Sequence, residues 1–287
     1  MVPRLLLVLA VLGLAACGAS SPSAALAPAA TTPACTPAPG DQRVDGVLLH
    51  IPPHARAPLP LVLAFHGAGG NGDEFAGYTG LSDTADAHGF AVLYPSASSR
   101  THSWALNRAK GTQDIDALRA LLPKALAVAC GDPKRVYATG VSNGGGFTAR
   151  VGCELQLAAI APVAGGYRSL DDTCEHRTSV LEIHGTNDKI VPYDGKPPDR
   201  RGAVPRYLDA WADRNGCSRS VTTHPRRSVT RLRYTDCDAG LAVEHLRLAG
   251  TDHGWPGADP PWPRQNPSGL LANEATWRFF AGKRSVQ

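Results

Sequence analysis

Long apolar runs are nearly absent from this chain. The longest, Leu5 to Ala16, falls short of the roughly 20 residues that a permanent bilayer-spanning helix needs. Strong charge of either sign is missing too. A formal net charge of +4 spread over 287 residues gives no electrostatic footprint for nucleic acid, so no such partner is expected. The densest basic stretch, Arg226-Arg227 with Arg231 and Arg233, reads as the solvated face of a strand. No Cys-x-x-Cys pair occurs among the seven cysteines, so nothing in their spacing argues for zinc, and no metal or cofactor is expected. Internal repeats are lacking, as is any sign of a second folded domain. A hydrophobic content of 43% is enough for one substantial core.

What is present begins with an export signal. Arg4 supplies the positive segment and Leu5 to Ala16 the apolar one. The stretch ends in Leu14-Ala15-Ala16-Cys17-Gly18, which resembles the bacterial lipoprotein signal, where the cysteine becomes the lipid-bearing N-terminus. The expected organisation is a signal over residues 1–16, a tether rich in Ala, Pro, Ser and Thr over 17–40, and a folded domain over 41–287. Cys17 would then anchor the protein to a membrane outside the cytoplasm. A plain secretory signal, with Cys17 incidental, also takes the chain out of the cytoplasm. Six cysteines remain, and an even number in an exported chain reads as disulfides. The expected pairs are Cys153 with Cys174 and Cys217 with Cys237, each joining neighbouring strands or loops, which leaves Cys35 with Cys130.

Strand and helix signals alternate through the domain. Strands are expected over Val44–Ile51, Leu61–Phe65, Phe90–Tyr94, Val136–Thr139, Ala158–Val163, Val180–His184, Val229–Tyr234 and Ala242–Leu248. Helices are expected over Leu81–His88 and Asp114–Ala129, from just after Ser142 with helix formers from Phe147 onward, over Pro205–Asn215 and over Glu274–Ala281. Such alternation implies a single α/β domain, a mostly parallel sheet with helices on both faces.

The chain is organised around Gly140-Val141-Ser142-Asn143-Gly144, set between a β-branched, aromatic run and a helix. Gly-x-Ser-x-Gly in that setting is the pattern of a nucleophile elbow, a tight turn that only residues without a Cβ let strand and helix pass closely. An ordinary glycine-rich turn with a capping serine is the plainer reading. A serine hydroxyl needs a histidine base, and the histidine needs a carboxylate to fix its tautomer. In this arrangement the acid and then the base follow the serine, each after a strand. Asp188, just past Val180–His184, fits the acid; an Asx-turn role is its plainer reading, and Asp194 and Asp252 are competitors. His253, after the last strand in Gly250-Thr251-Asp252-His253-Gly254-Trp255, fits the base. His66 and His184 also stand at strand ends, where hydrogen bonding to loop backbone explains them. Oxyanion stabilisation needs two backbone N–H groups, and Ala68 and Asn143 are placed to supply them. Trp104, Tyr193 and Trp255 are candidates for the substrate pocket, with packing as their alternative role.

The run Asp132 to Gly145, His184-Gly185-Thr186-Asn187-Asp188 with Val191-Pro192-Tyr193, and His253-Gly254-Trp255-Pro256-Gly257 resemble the polyhydroxybutyrate depolymerase and feruloyl esterase group of exported α/β-hydrolases. The similarity covers roughly Val44 to Phe280. It implies an α/β-hydrolase fold and cofactor-free hydrolysis of carboxylic esters by Ser142, Asp188 and His253. The substrate class is then a polyester oligomer, or a feruloyl or acetyl ester on plant polysaccharide. A non-catalytic lipoprotein binding such a surface is the alternative from another class, but a pure binder needs no complete set of three.

Overall fold

In the computed structural model, Met1 and residues 35–167, 174–198, 202–259 and 265–286 are described. Cys17, the signal beyond Met1 and residues 17–34 of the expected tether lie outside the described residues, while Cys35 bridges to Cys130 and Gly40 already opens the first strand. The folded unit, Cys35–Gln287, is built on one ten-stranded sheet in the order β1-β2-β4-β3-β5-β6-β7-β10-β9-β8. The strands are β1 (Gly40–Val44), β2 (Val47–Ile51), β3 (Leu59–Phe65), β4 (Ala91–Tyr94), β5 (Gly131–Val141), β6 (Ala159–Val163), β7 (Ser179–Gly185), β8 (Arg219–Arg226), β9 (Val229–Thr235) and β10 (Val243–Leu248). Its centre, from β4 through β3, β5, β6 and β7 to β10, is parallel; β2 and β9 run antiparallel to their neighbours.

The continuous apolar run of β3 divides by alternation. Leu61, Leu63 and Phe65 join one core cluster, while Val62 and Ala64 join the other. Period-two side-chain direction therefore feeds two cores from one strand, as expected of a sheet covered on both faces. On the first face lie α3 (Gln113–Ala129), α4 (Asn143–Glu154) and α5 (Val204–Arg214), through Ile115, Phe147 and Trp211 among others. On the second lie α1 (Gly72–Thr79), α2 (Leu81–His88) and α6 (Ala272–Phe280), through Phe75, Leu81 and Phe280.

Two expectations change. Val44–Ile51 is two strands rather than one: Asp45 and Gly46, both with positive φ (49° and 83°), turn the chain between β1 and β2. Asp-Gly suits such a two-residue hairpin, because both central residues must take left-handed conformations. As expected, helix α4 starts at Asn143, directly after the serine, and the glycines belong to its first turn. Helix α1 and strand β8 were not foreseen. Every residue of β8 is exposed, so it carries no apolar signal. The basic stretch does form a solvated surface there, on the β8–β9 hairpin. All three disulfides pair as expected: Cys35–Cys130, Cys153–Cys174 and Cys217–Cys237.

Candidate active site

The parallel registers bring four strand ends to one edge. Phe65 pairs with Gly140, Val141 with Val163, and Leu248 with Gly185. The segments that follow β3, β5, β7 and β10 therefore leave the sheet together, carrying His66 to Gly70, Ser142, Asp188 and His253.

Ser142 sits at φ 58°, ψ −119°, a region that a side chain adopts only when its surroundings hold it there. Its N–H donates to Val163 O (3.0 Å), and its carbonyl accepts from Gly146 N (2.9 Å) and Gly166 N (3.2 Å). The flanking glycines are a steric requirement. A Cβ on Gly144 would stand 2.2 Å from Phe65 O, and one on Gly140 would stand 2.6 Å from the same atom. Helix α4 can start against β3 only because those Cβ atoms are missing.

The loops that carry Asp188 and His253 are zipped together. Thr186 N donates to Leu248 O (2.9 Å) and Asn187 N to Thr251 O (3.1 Å). His253 Nδ1 lies 2.7 Å from Asp188 Oδ2, both side chains being nearly sealed from solvent. That pairing places the proton on Nδ1 and leaves Nε2 with a free lone pair. The other carboxylate oxygen, Oδ1, accepts from Ile190 N (2.9 Å) and Val191 N (2.7 Å). Asp188 thus organises its loop as an Asx residue and faces the histidine at once. Burial alone would raise its pKa, but hydrogen bonds from His184 and His253, with their charges, hold it well below the ordinary range. Asp252 accepts from Asn187 Nδ2, and Asp194 is exposed.

His66 serves the loop backbone, as expected. Its Nε2 accepts from Ala97 N (3.1 Å), so Nδ1 bears the proton and donates to Gly67 O (2.7 Å). Burial pushes its pKa down, which keeps it neutral. His184 does more than bind backbone. Its Nε2 meets Val191 O (2.9 Å) and Asp188 Oδ2 (3.2 Å), while Nδ1 meets Glu182 Oε1 (2.9 Å). The Asn143 side chain clasps Trp104, accepting from its N–H (2.7 Å) and donating to its carbonyl (3.2 Å). As the first residue of α4, Asn143 has a backbone N–H with no partner inside the helix. Ala68 is exposed, and its N–H has no backbone partner among the described residues.

A cavity of about 500 Å³ opens over this edge. Ser142 and His253 line it together with Gly67 and Ala68, and Phe75, Tyr78 and Ile190 add apolar surface. The three aromatic candidates lie elsewhere. Trp104 is stacked on Phe147 (4.6 Å, 12°) and donates from Nε1 to His66 O (2.9 Å). Trp255 is wholly buried behind Phe75, and its Nε1 donates to Asn273 Oδ1 (2.8 Å). Tyr193 OH meets His245 Nε2 (2.9 Å). All three pack, and the cavity takes its aromatic lining from α1. Sequence reasoning missed that helix because Gly72–Thr79 offers little apolar periodicity. It also missed Glu182, although a lone acid in an apolar strand, two residues before a histidine, was a visible signal.

Residues 46–166 match the family model described as Esterase PHB depolymerase. The chain has the α/β-hydrolase fold, and this match, over less than half of its length, is a similarity to the Esterase PHB depolymerase family. The match spans Ser142 and ends before Asp188 and His253. In sequence, the chain is 28% identical over 208 residues to the bifunctional acetylxylan esterase/xylanase XynS20E of Neocallimastix patriciarum, covering 70% of this chain but only 29% of that protein. It is 27% identical over 237 residues to feruloyl esterase C of Emericella nidulans, covering 78% of each. Among solved structures it is similar to the acetyl xylan esterase from Aspergillus awamori, with a TM-score of 0.59 and 15% identity over 84% of this chain and 96% of that one. Esterase PE8 superposes with a TM-score of 0.54 at 18% identity, over 80% and 96%. Identities this low speak for the shared fold.

Proposed function

We propose that the protein is an exported serine hydrolase of carboxylic esters, acting through Ser142, His253 and Asp188. The carrying observation is the convergence of Ser142 and the Asp188-bound His253 on one cavity. His253 Nε2 takes the Ser142 hydroxyl proton as Oγ attacks the ester carbonyl carbon. The carbonyl oxygen, now an anion, is met by the Ala68 and Asn143 N–H groups, with the N-terminus of α4 behind it. Collapse expels the alcohol with the proton from His253 and leaves an acyl-serine. Water then repeats the sequence, giving its proton to His253 and releasing the acid and the free serine. Asp188 holds the imidazole tautomer throughout and stabilises the imidazolium as it forms.

Phe75, Tyr78 and Ile190 favour an apolar group beside the scissile ester. A hydroxybutyrate oligomer meets that requirement, in keeping with the matched family model; a feruloyl or acetyl ester on polysaccharide meets it too, in keeping with the relatives' names. Comparing kcat/KM on methyl ferulate, 4-nitrophenyl acetate and hydroxybutyrate oligomers separates these, with folded Ser142→Ala as control. Turnover on none of the three, or full turnover by Ser142→Ala, contradicts the proposal. Anchoring through Cys17 is part of the same reading, supported by the signal sequence and by three disulfides that suit an oxidising compartment. Cys17→Ser should then leave the membrane fraction; a wild type already fully soluble contradicts it.

A further inference from the structure

Behind Asp188 lies a buried ionic cluster that the proposed reaction does not use. Glu182 and His184 share one face of β7, and neither side chain has any exposed area. His184 is surrounded by acceptors: Glu182 Oε1 at Nδ1, and Val191 O with Asp188 Oδ2 at Nε2. A neutral imidazole would turn a lone pair toward one of these oxygens. Only the doubly protonated ring donates to all sides.

The neighbouring elements complete the cluster. From β10, His245 Nδ1 stands 2.7 Å from Glu182 Oε2. From the segment after β6, Tyr167 OH donates to Glu182 Oε1 (2.7 Å), and its ring stacks on Tyr207 of α5 (3.8 Å, 8°). Tyr193 stands edge-on to His184 (6.0 Å, 79°) beneath Arg247. His253 faces the same Asp188 oxygen from the cavity side. Glu182 is thus the acid that balances a cation at His184, and Asp188 is held between two histidines.

We infer that His184 is a positioning residue for the proposed triad: a buried imidazolium, with Glu182 as counter-charge, that keeps Asp188 ionised and aimed at His253. This rests on the Ser142–Asp188–His253 reading. The consequence is specific to pH. A cation on the far side of Asp188 weakens the field that favours protonated His253. Without it, the carboxylate acts on His253 uncompensated, and the free enzyme retains the proton to higher pH.

The test is the double variant Glu182→Gln/His184→Gln, which leaves no unpaired charge buried. On 4-nitrophenyl butyrate the rising limb of kcat/KM against pH should move up by about one unit, so activity below the limb falls about tenfold more than on the plateau. KM should stay near wild type, since neither residue lines the cavity. An unmoved limb, with equal loss at every pH, overturns the inference while the triad stands; a folded Ser142→Ala that keeps turnover overturns the triad itself. A second reading compares spectra of the wild type and the double variant. Long-range 1H–15N spectra of the wild type at about pH 8, where an ordinary histidine is neutral, should show a ring with both nitrogens protonated that is missing from the variant. Finding none contradicts the imidazolium.

Discussion

At the scale of single residues, Asp188 carries two tasks on two oxygens, and they can be separated by substitution. Asp188→Asn keeps Oδ1 for the Ile190 and Val191 N–H groups, so the loop should fold. If its amide replaces Oδ2, it presents N–H to His253 and forces the other tautomer, for an expected loss in kcat of about 10³- to 10⁴-fold. Asp194→Asn and Asp252→Asn should change kcat by less than about tenfold, because neither acts on the base. Turnover of 4-nitrophenyl butyrate by the three variants, with circular dichroism to confirm folding, checks this. Near-normal activity in Asp188→Asn would move the acid elsewhere. The meeting of Ser142, Asp188 and His253 at one edge of the sheet was legible because each stands just after a strand, in the chain order that this fold constrains. The pocket aromatics were not, because Trp104 and Trp255 look alike in sequence whether they line a cavity or fill a core.

At the scale of elements, the elbow depends on how closely β3, β5 and α4 approach. Gly144→Ala would press a methyl to 2.2 Å from Phe65 O and 2.4 Å from His66 O, both backbone atoms of a fully buried strand end. No side-chain rotation relieves that contact, so α4 must shift. We expect a loss of about 3 kcal/mol or more, at the upper end for overpacking. Activity should fall with it, because the shift carries Ser142 and the Asn143 N–H away from the base. Urea denaturation of Gly144→Ala against wild type measures the first effect; a loss under 1 kcal/mol, by the same scale, contradicts the packing account. The strands that order this site were readable from continuous apolar runs. Helix α1 and strand β8 escaped, the one for weak periodicity, the other because an exposed edge strand buries nothing.

At the scale of the whole molecule, buried charge makes stability depend on pH in both directions. Burial alone would lower the pKa of His184, but the charges and hydrogen bonds of Glu182 and Asp188 together raise it from its ordinary 6.5 to about 10. Its contribution is therefore complete below 6.5 and lost as pH rises through about 10. For Glu182, burial is overcome by the charge and hydrogen bond of His184 and by His245, which carry it from 4.5 down to about 2; that contribution is lost as pH falls through about 2. The melting temperature of the disulfide-intact protein should be highest between these limbs, and Glu182→Gln/His184→Gln should flatten both. Calorimetry across that range checks it; unchanged limbs in the double variant would place the titrating groups elsewhere. The central claim, a nucleophilic Ser142, is tested most directly by covalent capture. A fluorophosphonate should add one label per wild-type molecule, mapped by peptide mass spectrometry to Ser142, and folded Ser142→Ala should take none. Equal labelling of Ser142→Ala, or a label mapped to another residue, would contradict the account.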